Sequence, residues 1–368
     1  MQKAPKIDLE STNCAKIGSP EDKAARKGAA ETEPAWQGSG QQPGVQIWRI
    51  EQFEVKPWPE EEYGNFYEGD CYIVLLTTKD ENNENKLVFD VFFWLGMEST
   101  QDEQGTAAYK TVELDDLLDG AAVQYREVMM HESKEFKAIF KQINYLKGGV
   151  DSGFTHVEEG AYITKLLQVK KVGKQTNVIE VSCERASLNH GDCFILDAGS
   201  KIYVWKGDEC SPFEKQMANM AAETMEAQRD GRSEVTQEAD GAFWEALGGE
   251  GDITSAADAE NVLPAPIENG EGILYQLSDA DGSLGMAEVG RGELTKSMLS
   301  GDDVFLCDSG PAVMIWIGSN ASPKESAAAF DTANKYLLQA SKPLTTEVTV
   351  LKEGNTTSCK RFTEIFSD

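Results

Sequence analysis

Gly69-Asp70-Cys71-Tyr72-Ile73-Val74-Leu75 returns later in the chain as Gly191-Asp192-Cys193-Phe194-Ile195-Leu196 and, with a changed entrance, as Asp302-Asp303-Val304-Phe305-Leu306. Each copy is an acidic turn feeding a run of apolar, β-branched and aromatic residues, the pattern of a buried strand. A Trp-x-Gly follows every copy, at Trp94-Leu95-Gly96, Trp205-Lys206-Gly207 and Trp316-Ile317-Gly318, so both intervals are 111 residues. Nine residues beyond each Trp stands a glutamate: Glu103, Glu214 and Glu325. Self-similarity at a fixed long period means one structural unit used three times.

Apolar periodicity places a helix after each glutamate. It rests on Tyr109, Val112, Leu114, Leu117 and Leu118 in the first unit, on Phe213, Met217, Met220 and Met225 in the second, and on Ala327 to Leu338 in the third. Strands are predicted over 45–50, 71–77 and 87–95 in the first unit, with a later strand over 347–351 in the third. The expected fold class is α+β, sheet layered against helix. Residues 1–44 carry six acidic and six basic residues without apolar periodicity, and are expected to form a disordered arm. The Gly-rich stretches 148–160 and 248–272 read as linkers, giving units at 45–158, 159–263 and 264–368.

With 368 residues and 40% hydrophobic content, the chain has material for two or three cores. A formal charge of -29, from 34 Lys+Arg against 63 Asp+Glu, argues against nucleic acid as a partner. No apolar run approaches the roughly 20 residues that span a bilayer, and the start MQKAPKIDLEST has no secretory pattern, so a cytoplasmic protein rather than an integral membrane one is expected. Seven cysteines, an odd number without a Cys-x-x-Cys pair, read as reduced and mostly buried thiols.

The three glutamates allow two roles. Thr100-Gln101-Asp102-Glu103, Ser211-Pro212-Phe213-Glu214 and Ser322-Pro323-Lys324-Glu325 each spell a capping box, in which the glutamate caps its own helix. Yet each unit also sets an aspartate at the strand entrance, Asp70, Asp192 and Asp303, where Asp is disfavoured within the strand and suits the turn before it. Two carboxylates brought together repel unless a hard cation with oxygen ligands holds them, and calcium is the natural candidate. Asp279-Ala280-Asp281-Gly282 has its glycine too early for an EF-hand loop, so any such ion is held by residues distant in sequence.

No catalytic constellation is visible. His131, His156 and His190 are isolated, and neither a Walker loop nor a Gly-x-Ser-x-Gly elbow is present, so the chain is not expected to be an enzyme. One basic run, Lys165, Lys170, Lys171 and Lys174, reads either as the charged end of a strand or as a site for anionic lipid.

Taken together, GDCYIVL, WLG, STQDE, VELDDLLDGAAVQYREV, KGGVDSGF and HGDCFILDAG resemble the gelsolin family, in its three-repeat, fragmin- or severin-like type. The resemblance covers residues 45–368 and implies repeats with a mixed central sheet sandwiched by a long and a short helix. It implies calcium at the Gly69 carbonyl, Asp70, Glu103 and the Val150 carbonyl, and a second ion, shared with actin, at Asp115 with the carbonyls of Gly120 and Ala122. In the second repeat the matching set is Gly191, Asp192, Glu214 and Asp252, and in the third Asp303 and Glu325. Actin is implied to meet the helix through Gln101, Asp102, Tyr109, Val112, Asp115 and Leu118, and phosphoinositides to meet Lys165, Lys170, Lys171 and Lys174. The implied activity is calcium-dependent severing and barbed-end capping of actin filaments, with nucleation as a further activity and phosphoinositides as inhibitors. A non-severing capping or sequestering protein, and a calcium-dependent phosphoinositide binder, are the rival readings. Secreted members carry a disulfide from the Cys193 position to one that is Lys206 here, so that bridge cannot form.

Overall fold

The computed structural model describes residues 27–28, 30–81, 83–149, 163–172, 175–229, 232–259, 262–264, 270–278, 285–322, 326, 329–357 and 359–367. Val150, Lys174, Glu325 and the 151–160 part of the first linker lie outside these residues.

The apolar run that opens each unit is a central strand covered on both faces. In Cys71–Asp80, Cys71, Ile73 and Leu75 face one way, toward Ala107 and Leu114 of the long helix Gln101–Leu117. Tyr72 and Val74 face the other way, toward Phe136 of the short helix Lys134–Ile139. Side chains alternate across a strand, so burial of both faces turns a two-residue period into a continuous apolar run. The second unit repeats this: Cys193 and Ile195 pack toward Pro212–Ala227, and Phe194 and Leu196 toward Phe243 of Gly241–Ala246. In the third, Val304 and Leu306 pack toward Ala329–Gln339, with Phe305 and Cys307 beside Phe362 of Lys360–Ile365. Each unit is thus a sheet between a long and a short helix.

Connectivity follows the same rule in all three. Strand Asn83–Leu95, its long helix and strand Ala122–Val128 form a parallel crossover, as do Lys201–Lys206 with Glu234–Thr236 and Ala312–Ile317 with Glu347–Lys352. Parallel neighbours need a long connection, and the helix supplies it. The Trp-x-Gly glycine has one structural cause: a Cβ on Gly96, Gly207 or Gly318 would strike the backbone carbonyl of Glu68, His190 or Gly301. That close approach lets each glycine N–H donate, at 3.0 Å, to the carbonyl of Asp70, Asp192 or Asp303.

The units are joined through their sheets. Ala122–Val128 pairs antiparallel with Glu347–Lys352, in register Arg126 to Val348 and Gln124 to Val350, making one sheet of ten strands from the first and third units. The buried Arg126 guanidinium fastens this joint, donating to Asn334 Oδ1 at 2.7 Å and to the Thr346 carbonyl at 3.1 Å. A second sheet of seven strands joins Gln142–Leu146 in parallel to Gln175–Val181 of the second unit.

The arm departs from expectation in its later part. Ala30 and Trp36 are buried against the first unit, with Trp36 edge-on to Trp48 at 4.9 Å and its indole N–H donating to Glu113 Oε1 at 2.8 Å. Lys110 of the long helix pairs with Glu33 at 3.1 Å. Two anchors in an otherwise polar segment leave no periodicity to read, yet burying a Trp contributes about 2 kcal/mol or more.

Candidate metal centres

Asp70 is fully buried at the entrance of its strand. Its Oδ2 accepts from Tyr72 Oη at 3.1 Å and lies 3.4 Å from Arg49 Nη1. The Gly148-Gly149 segment crosses directly over it: Gly69 N–H donates to the Gly148 carbonyl at 2.7 Å, and a Cβ on Gly149 would sit 2.6 Å from Asp70 Oδ1. Val150, the expected carbonyl ligand, is next in the sequence and lies outside the described residues. Glu103, 6% exposed, accepts from Thr100 N at 2.9 Å and Thr100 Oγ1 at 3.0 Å, so the capping box is formed. Burial pushes the neighbouring Cys71 thiol up to about 12, with Glu103 and Asp70 adding to the rise. Capping uses one carboxylate oxygen, Oε2, and does not exclude a cation role for the other.

The second unit has the same plan. Asp192 Oδ1 pairs with Lys170 Nζ at 2.8 Å, while Oδ2 accepts from Gln168 at 2.7 Å and Asn189 at 2.8 Å. Glu214 caps its helix through Ser211 N and Oγ. A cavity of about 370 Å3 opens here, lined by Lys170, Asn189, Gly191, Asp192, Glu209, Ala256 and Ala259. Asp258 stands between the lining residues Ala256 and Ala259, whereas Asp252 is four residues before Ala256; both aspartates are exposed and neither lines the cavity itself. In the third unit Gln276 Nε2 donates to Asp303 Oδ2 at 2.8 Å, and Glu325 lies outside the described residues.

A regularity emerges that the sequence repeat does not spell. Arg49 is the register partner of Tyr72, Gln168 of Phe194 and Gln276 of Phe305. These three equivalent residues of the first strand all reach Oδ2 of the entrance aspartate. In the first unit the other oxygen, Oδ1, lies on the side of Gly149, and in the second unit it meets Lys170.

The set of Asp115, Gly120 and Ala122 is brought together and covered. Asp115 is 1% exposed; its Oδ1 accepts from Ala122 N at 2.9 Å, and its Oδ2 from Gln124 at 2.9 Å and Lys352 Nζ at 2.8 Å. Asn355 Nδ2 donates to the Gly120 carbonyl at 3.2 Å and approaches that of Ala122 at 3.4 Å. An ammonium and an amide from the third unit thus engage Asp115 Oδ2 and the carbonyls of Gly120 and Ala122, while Asp115 Oδ1 is held within the first unit by Ala122 N. Of the other helix residues expected at a partner surface, Gln101, Asp102 and Tyr109 are exposed and Val112 and Leu118 half-buried, with Leu118 beside the arm at Gly40.

The basic run is internally engaged. Lys165 pairs with Glu180 at 3.3 Å and lies over the Tyr67 ring, Lys170 pairs with Asp192, and Lys171 stacks on Phe213 at 4.1 Å. Among the described residues, no three Asp, Glu, His or Cys side chains converge. A site of this kind draws instead on two carboxylates and backbone carbonyls, the donors that suit a hard cation. The cradle at Asp70 and the oxygens gathered at Asp115 fit such an ion. No described helix is long and apolar enough to cross a membrane.

Three copies of a strand–strand–helix–strand unit, each with a held aspartate at its strand entrance, define a protein of repeated α+β modules. Residues 53–137, 174–242 and 285–358 match the gelsolin repeat. The chain is 38% identical over 366 residues to Gelsolin-like protein 1 of Lumbricus terrestris, covering 98% of this chain and 97% of that protein. It is 37% identical over 357 residues to severin of Echinococcus granulosus, covering 93% of each. It is also 38% identical over 328 residues to "Actin depolymerising venom protein gelsolin 1" of Platymeris rhadamanthus, covering 86% of this chain and 87% of that one. The chain belongs to the gelsolin family.

Proposed function

We propose that this chain severs actin filaments and caps their barbed ends under calcium control in the cytoplasm, with phosphoinositides opposing it. Relatives named severin and actin depolymerising protein support the activity. The observation that carries the control is the engagement of Asp115, Gly120 and Ala122 by Lys352 and Asn355. Those oxygens are the ones expected to share an ion with actin, and here the third unit holds them.

Bound calcium supplies positive charge among carboxylates that otherwise repel each other and an acidic partner. Asp70 and Glu103, with the Gly69 and Val150 carbonyls, hold one ion. Asp192 and Glu214, with the Gly191 carbonyl, hold another, joined by a linker carboxylate, Asp252 or Asp258. Asp303 and Glu325 are the third pair. Asp192 gives up Lys170 and Asp115 gives up Lys352 when a cation is taken. Losing the Lys352 pair weakens the joint between strands Ala122–Val128 and Glu347–Lys352. Gln101, Asp102, Tyr109, Val112, Asp115 and Leu118 then become the wedge that enters actin. Lys170, once free of Asp192, joins Lys165, Lys171 and Lys174 as a phosphoinositide site, which links lipid binding to the same switch.

Imaging single fluorescent filaments while calcium is stepped tests this. Breaks along filament lengths with calcium, and none with chelator, are expected. Filaments that shorten only from their ends at constant number would reject severing and favour capping or sequestering. Vesicles containing phosphatidylinositol bisphosphate should suppress the breaks.

A further inference from the structure

Of the described cysteines, all free, only Cys183 is exposed; Cys71, Cys193, Cys210, Cys307 and Cys359 are buried. Two of these sulfurs meet: Cys193 Sγ and Cys210 Sγ are 3.0 Å apart. Their places in the chain give the contact meaning. Cys193 follows Asp192 and opens its strand, while Cys210 precedes Ser211, the N-cap of the helix whose third residue is Glu214. The two thiols therefore stand between the segments that carry the second unit's two carboxylates.

The other units act as internal controls. The positions equivalent to Cys193 and Cys210 are Cys71 and Ser99 in the first unit, and Val304 and Ala321 in the third. The fold brings these positions near one another each time, since Ser99 lies close enough to the Cys71 thiol to influence it and Ala321 packs on the cluster containing Val304. Only the second unit puts a sulfur at both. Lys206, the strand partner directly opposite Cys193, cannot cross-link.

We infer that Cys193 and Cys210 form a reversible disulfide that fixes the spacing of Asp192 and Glu214 and so tunes cation binding in the second unit. The oxidant is a small disulfide such as oxidised glutathione. Cys210, at 5% exposure against 0% for Cys193, is the sulfur reached first. Its thiolate attacks one glutathione sulfur, the glutathione S–S bond breaks, and one glutathione leaves as a thiol. The Cys193 thiolate then attacks Cys210 Sγ of the mixed disulfide and expels the second glutathione thiol. Two electrons pass to the oxidant, and the two cysteine protons end on the two glutathiones. The sulfurs need to close by only about 1 Å to reach a bond near 2.0 Å, a movement within reach of side-chain rotation. Excess thiol reverses the exchange.

The ring closed by residues 193 and 210 restricts the unfolded chain. It also removes part of the ordering that the two ligand-bearing segments undergo on binding, so the oxidised unit binds its cation more tightly, by roughly threefold to tenfold. This last effect rests on Asp192 and Glu214 being cation ligands; the cross-link does not.

The test takes the full chain treated with oxidised glutathione or with excess dithiothreitol. A non-reducing proteolytic map is expected to show the Cys193 and Cys210 peptides joined, two hydrogens lighter than their sum. The oxidised form should melt higher and show the tighter calcium isotherm by calorimetry. Cys210→Ser and Cys210→Ala should each abolish both differences, whereas Cys183→Ser should leave them. Glutathione found on Cys183 with no joined peptide would overturn the pairing. A joined peptide with equal calcium isotherms would overturn the tuning. Joined peptides and a raised melting temperature without calcium heat in either form would keep the disulfide and overturn the calcium assignment.

Discussion

The Lys352 ammonium lies 2.8 Å from the Asp115 carboxylate, 237 residues earlier in the chain. It occupies the position of a cation at an oxygen set that would otherwise present a buried, uncompensated charge. One ion pair therefore serves both as the electrostatic partner of Asp115 and as a fastener between the first and third units.

Lys352→Ala removes that partner while leaving the oxygens in place. Leaving Asp115 unpaired should cost the joint about 1–3 kcal/mol and lower the calcium needed for filament breakage by roughly threefold or more. Hydrogen exchange should quicken along strands Ala122–Val128 and Glu347–Lys352. Unchanged exchange there, with unchanged calcium demand, would reject the fastener.

Glu103 is both cap and candidate ligand, and Glu103→Gln separates the two. A glutamine preserves the capping box, so the melting temperature should move by less than the equivalent of about 1 kcal/mol, while calorimetry should lose or weaken one calcium event by about tenfold or more. Normal calcium binding would leave Glu103 as a helix cap alone. Asp70→Asn should weaken the same event.

Asp252 and Asp258 compete for one role in the second unit. Asp258 lies on the segment that lines the cavity at Asp192, so Asp258→Ala should weaken the second calcium event by about tenfold and Asp252→Ala should leave it nearly unchanged. The reverse result would restore Asp252.

Glu127, on the strand that forms the joint, is wholly buried and hydrogen-bonded to Ser133 N at 2.7 Å. Burial pushes its carboxyl from 4.5 to about 8, against the lowering effect of Ser133, with Glu347 and Glu132 adding to the rise. A raised folded-state value means that the folded state binds the extra proton. The contribution is full below about pH 4.5 and is lost as pH rises through about 8, on the order of 5 kcal/mol over that window. Glu127→Gln should flatten this dependence in thermal melts run from about pH 5 to pH 9. An equal slope in wild type and variant would assign the loss elsewhere.

Trp36→Ala should cost about 3 kcal/mol or more, because it removes a buried ring stacked edge-on to Trp48 and a hydrogen bond to Glu113. A melt within about 0.5 kcal/mol of wild type would return residues 30–43 to the status of a loose arm.

Much of the candidate site is legible in the chain because its parts repeat. An aspartate at a strand entrance and a glutamate three residues past a Ser or Thr survive in each copy, so Asp70, Glu103, Asp192, Glu214 and Asp303 could be named without a structure. Lys352, Asn355, Gln168 and Gln276 could not be found that way. A lone lysine at the end of a strand has no local signature of the carboxylate it will meet, and Gln276 gains its role only through register with Phe305. The choice between Asp252 and Asp258 is open in the sequence for a related reason, since irregular chain has no period to fix which aspartate belongs to the candidate site.

The amino-acid order alone settled the number of units, the strand and helix order and the buried faces, because periodicity and capping are local and are imposed by backbone geometry. The tertiary arrangement decided which cation each carboxylate meets, which sulfurs touch, and that the first and third sheets run together as one. Those outcomes depend on side chains from distant segments converging across 10-stranded and seven-stranded sheets, and no local pattern encodes the distance between them.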